Sequence, residues 1–84
     1  MIMSANISEK NSAVASWFAL LDDSTSLLTS PGVHHKLLVY QAGALRTSQI
    51  VSLEEYSDML ELADGALAYA IEAQLDLPLS DSVA

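Results

Sequence analysis

The sequence predicts an all-α fold, a single small domain of two long helices with a shorter helix between them. Three observations predict it. Residues 52–75, SLEEYSDMLELADGALAYAIEAQL, form the one long, strongly periodic stretch of the chain. Residues 8–28 carry a second helical pattern. Between the two lies Thr29-Ser30-Pro31-Gly32, a turn, because proline disfavours the α region for the residue before it and glycine frees the backbone.

In chain order, residues 1–7 are expected to be a flexible N-terminus, with Asn6 and Glu9 as a capping pair or Ser8 as the alternative cap. The first helix then spans about 8–28, with Val14, Trp17, Leu21 and Leu28 on one face. Asp22 to Ser26 interrupt its apolar pattern, so it can also end at Asp22 and restart. The shorter helix spans about 33–47, with Val33, Leu37, Tyr40, Ala44 and Leu45 sharing a face and Arg46 near the negative end of the helix dipole. The alternative is an α+β fold with a hairpin at 37–51, built from Leu37–Tyr40 and Gln49–Val51. The helix is preferred, since an isolated hairpin of such short strands is marginal and the first run does not alternate apolar with polar residues.

The last helix is the most strongly specified. Ser52 is a good N-cap, and Glu55 three residues on completes a Ser-x-x-Glu capping box. Glu54, Glu55 and Asp58 occupy the opening turns, where carboxylates favour the positive end of the dipole. Leu53, Tyr56, Leu60, Ala63, Leu67 and Ala70 form one apolar seam, and Met59, Leu62, Ala66, Tyr69 and Ala73 a second. At about 100° per residue the two seams cover roughly 200° of the helix. One neighbouring helix cannot cover so wide an arc, so the helix needs two partners, from its own chain or from a second copy. Trp17, Leu21, Tyr56, Met59, Leu60, Leu62, Leu67 and Tyr69 are accordingly expected to be core or dimer contacts, and a homodimer is expected. Gly65 in mid-helix costs about 1 kcal/mol relative to alanine, which implies a close contact or a bend there. Pro78 is expected to stop the helix near Leu75, which leaves 8–76 as the helical domain and 77–84 as a flexible acidic tail.

Charge is the most informative total. The formal net charge is −8, from 11 acidic and 3 basic residues. Residues 1–46 balance Lys10, Lys36 and Arg46 against Glu9, Asp22 and Asp23. Residues 47–84 hold every other carboxylate and no cation, so the whole net charge lies on the long helix and the tail. Direct binding to nucleic acid or to a membrane surface is therefore not expected, since both rely on lysine and arginine. No apolar run approaches the ~18 residues of a membrane span, and no signal peptide pattern opens the chain, so a cytoplasmic location is expected.

No motif carries chemistry. There are no cysteines. His34 and His35 are adjacent, so on a helix they diverge by about 100° and cannot chelate one metal together. Nothing orders serine, histidine and aspartate into a triad, and the glycines are too scattered for a phosphate loop. No enzyme activity, cofactor or metal is expected. What remains is the acidic face of the last helix, Glu54, Asp58, Glu61 and Glu72, offered to a protein partner with a basic surface. The expected function is a small stoichiometric inhibitor or adaptor, in its sharper form a nucleic-acid mimic set against a nucleic-acid-binding machine. Phage-encoded anti-defence proteins share that general description. The alternative is a purely structural homo-oligomer or a secretion-type co-chaperone with no basic partner.

Overall fold

The computed structural model describes the backbone of residues 2–83 and the side chains of residues 9–75. Four helices follow one another: α1 (Ile2–Leu21), α2 (Ser24–Thr29), α3 (Pro31–Thr47) and α4 (Leu53–Val83). Among the described residues there is no strand, and the segment 37–51 is the end of α3 and the connection that follows it, not a hairpin. At about 1.5 Å per residue α4 is roughly 46 Å long, and the molecule is a rod of 62 × 19 × 16 Å. α3 packs along α4, and α1 and α2 pack in succession against both.

Asp22 and Asp23 divide what the periodicity offered as one helix over 8–28. α1 closes with Asp22 N–H to the Phe18 carbonyl at 2.9 Å and Asp23 N–H to the Leu20 carbonyl at 3.2 Å. Asp23 then accepts from the Ser26 amide at 3.3 Å and the Ser26 hydroxyl at 2.8 Å, which makes it the N-cap of α2. A short acidic side chain that bonds local backbone favours a cap over a helix interior. At the other end α1 starts at Ile2 and not near residue 8, so residues 2–7, expected to be flexible, carry helical backbone. α4 also runs past its expected end at Leu75, through Pro78 to Val83, a course that gives up one backbone donor at the proline. The side chains of the expected acidic tail lie outside the described residues.

The core is a single layer. Trp17, Leu38, Ala42, Val51, Met59 and Ala63 are buried together, ringed by half-buried Val14, Leu20, Leu21, Leu45, Ile50 and Tyr56. Ala42 and Ala63 let α3 and α4 approach closely, and Ala70 is buried farther along α4. Trp17 spans the layer: its indole Nε1–H donates to the Leu38 carbonyl at 2.9 Å, so the burial of this large side chain leaves no polar atom unpaired.

This packing corrects the expected inner face of α3. Val33, Leu37 and Tyr40 are exposed, Tyr40 to 76%, and Ala44 is exposed as well. The buried positions are His34, Leu38 and Ala42, with Leu45 half-buried beside them. The helix is turned so that a small alanine, not Tyr40, meets α4. On α4 the buried line Met59–Ala63–Ala70 draws from both seams. Leu60 and Leu67 are half-buried, whereas Leu62 and Tyr69, expected as contacts, are 44% and 61% exposed.

α3 ends in a Schellman motif. Ile50 N–H reaches the Leu45 carbonyl at 2.9 Å and Gln49 N–H the Arg46 carbonyl at 2.9 Å. The motif places Gln49 in the left-handed region at φ 61°. For a residue with a Cβ that conformation costs about 1–2 kcal/mol, a cost glycine escapes. Gln49→Gly is therefore expected to stabilise the fold by about 1 kcal/mol, seen as a melting temperature raised by roughly 4–8 °C. An unchanged or lower melting temperature would contradict the motif.

Candidate partner-binding face

The start of α4 is built as its sequence specifies. Ser52 Oγ accepts from the Glu55 amide at 3.1 Å, and Glu55 Oε1 accepts from the Ser52 amide at 2.8 Å. Lys10 of α1 adds an ion pair to the same carboxylate, at 2.9 Å to Oε2 and 3.0 Å to Oε1. About two and a half turns farther on, His35 Nε2 of α3 meets Asp64 Oδ1 at 2.8 Å. Arg46 lies over the Tyr56 ring at 5.8 Å from its centroid, a cation–π contact. Gln74 Nε2 donates to the Leu28 carbonyl at 3.2 Å, which ties the end of α2 to α4. These contacts face α1, α2 and α3, so Glu55 and Asp64 belong to the fold.

Four other α4 carboxylates among the described side chains differ. Glu54, Asp58, Glu61 and Glu72 are all exposed, and among the described residues none makes an ion pair or a side-chain hydrogen bond. They share the outer face because steps of three, four and eleven residues return a helix to nearly the same azimuth. Of the basic residues, Lys10 and Arg46 are committed to Glu55 and Tyr56, and Lys36 stands exposed on α3. A shallow, open cleft of about 690 Å³ at the α3–α4 connection contains both committed cations with Thr47, Gln49 and Ser52.

His34 is the residue that reading the sequence missed. It is buried to 2% exposure, and its Nε2 donates at 2.6 Å to the Leu20 carbonyl, which also accepts from the Asp23 amide where α1 ends. Its Nδ1 has no hydrogen-bond partner. The available signal was its place four residues before Leu38 and eight before Ala42, on the buried line. Histidine on an apolar helix face here serves as a strut between α1 and α3.

Among the described residues no group of three metal-ligating side chains converges, and no helix is long and apolar enough to cross a membrane. Compared with known proteins, the chain matches no family model, no curated protein and no solved structure.

Two carboxylates titrate abnormally low. The Ser52 amide, then Lys10, hold Glu55 below its ordinary 4.5, and the Ser26 hydroxyl and amide hold Asp23 below its ordinary 3.8. A carboxylate whose folded pKa lies below its unfolded one contributes stability that is full above the unfolded value and disappears as pH falls through the folded value. The urea midpoint is thus expected to drop as pH is lowered from about 5 to 3. Glu55→Gln keeps the capping geometry without the titrating group and is expected to flatten part of that drop. Superimposable pH profiles would show that the cap carries no charge-dependent stability.

Proposed function

We propose that this protein is a non-enzymatic protein-binding module, a stoichiometric inhibitor or adaptor that presents the outer face of α4 to a partner with a basic surface. One observation carries the reading: of the helix carboxylates described, Glu55 and Asp64 are engaged within the fold while Glu54, Asp58, Glu61 and Glu72 stand exposed and unpaired along one face. Like charges at spacings of three and four residues destabilise a helix by about 0.2–0.5 kcal/mol per pair. Glu54 with Asp58, and Asp58 with Glu61, carry that cost in the free chain, and a cationic partner would relieve it. The net charge of −8 adds long-range attraction, which speeds encounter with a basic surface and weakens with salt. A nucleic-acid-binding protein fits this chemistry, since its groove is already shaped to receive a row of negative charges.

A second reading is a structural homo-oligomer. It is favoured by the exposed stripe Val33–Leu37–Tyr40–Ala44 on α3, a helix with no carboxylate to repel a second copy. The two readings use different faces and separate by experiment.

Glu54→Lys with Glu61→Lys is expected to keep the helix content and to hold or slightly raise the melting temperature, since both side chains are exposed and each change turns a like-charge pair with Asp58 into an opposite-charge one. Tagged wild-type protein in a lysate of the source cell is expected to retain a basic protein at low salt, identified by mass spectrometry. High salt and the double variant should each release it. Retention by the double variant equal to wild type would make the acidic face a solubility surface only.

A further inference from the structure

The middle of the outer face of α4 is not uniformly acidic. Leu62 and Tyr69 stand on it, 44% and 61% exposed, with Gly65 between them. Asp58, Leu62, Gly65, Tyr69 and Glu72 follow one another in steps of four, three, four and three residues, a continuous stripe of about 21 Å. A Cβ placed on Gly65 would meet nothing within 4 Å. No contact inside this chain therefore requires glycine, although glycine is the costliest non-proline residue in a helix interior. The result is a notch, walled by Leu62 and Tyr69 and bordered by Asp58, Glu61 and Glu72.

We propose that this notch is the seat of a cationic amphipathic helix of another protein, crossing α4 at Gly65. The proposal rests on the binding-module reading and names the shape of the partner. A missing side chain at a crossing point lets two helix axes approach toward the lower end of the usual 8–10 Å separation. The incoming helix would lay apolar side chains against Leu62 and Tyr69 and place lysine or arginine beside Asp58, Glu61 and Glu72. A second copy of this chain fits poorly on the same face. Crossed antiparallel at Gly65, it would set Asp58 of one copy against Glu72 of the other, and crossed parallel it would set each carboxylate against itself.

The test uses two synthetic peptides of one leucine–lysine composition, one with its leucines gathered on a single helical face and one scrambled, titrated calorimetrically into the full chain at low salt. The amphipathic peptide is expected to bind at least tenfold more tightly than the scrambled one. Gly65→Gln fills the notch with a good helix former, so it should weaken that binding tenfold or more while the melting temperature holds or rises. Equal binding of both peptides, indifferent to Gly65→Gln, would overturn helix docking and leave a charge-only acidic face. Binding of neither peptide would overturn the docking and the basic-partner reading together. A dimer in sedimentation that Gly65→Gln converts to monomer would assign the notch to a second copy and overturn the proposal.

Discussion

The hydrogen bond from the Trp17 indole to the Leu38 carbonyl sets the rest of this molecule in place. An indole buried to 1% exposure must find an acceptor, and this one finds it in the middle of α3. That contact fixes the rotation of α3 about its axis. With Leu38 inward, His34 and Ala42 turn inward with it, four residues to either side. His34 then reaches the end of α1, and His35 is carried round to Asp64 on α4. The same rotation sends Val33, Leu37 and Tyr40 outward, where apolar periodicity alone would not have put them.

A rod this thin has one layer of core and little capacity for more. Small side chains hold it together: Ala42, Ala63 and Ala70 are buried because helices this close leave no space for larger ones. Larger apolar side chains, Leu62 and Tyr69 among them, are left at the surface. Over its described side chains α4 thereby has two unlike sides. Its inner side caps, packs and pairs with α1, α2 and α3, while its outer side carries negative charge that the fold does not use. The basic residues reinforce the division, since Lys10 and Arg46 are spent on Glu55 and Tyr56, at the inner edge.

Much of this was legible in the residues. Ser52 and Glu55 announced the start of α4, because a capping box is a local device that needs no knowledge of the rest of the chain. The exposure of Glu54, Asp58, Glu61 and Glu72 followed from their place opposite the apolar seams. Less legible was anything decided by tertiary contact. The rotation of α3 depends on a tryptophan in another helix, and the burial of His34 depends on that rotation. Gln49 gave no hint of its left-handed backbone, which glycine would have advertised. Asp22 and Asp23 marked a possible break in the first helix, and only the Asp23–Ser26 bonds decide that the chain restarts there. Neither helix terminus followed the local signals, Ser8 at one end and Pro78 at the other.

The central claim is that the outer carboxylates of α4 repel one another in the free chain, unrelieved by any neighbour. The most direct measurement is the melting temperature of the free protein as sodium chloride is raised from low to near-molar concentration, with Asp58→Asn/Glu61→Gln alongside. Salt screens exposed charges within a Debye length of about 10 Å at 0.1 M. The wild-type melting temperature should therefore rise with salt, and the neutralised variant should start higher and rise less. A wild-type melting temperature that is flat or falls with salt would mean that these carboxylates are already paired, and the face would not be free for a basic partner.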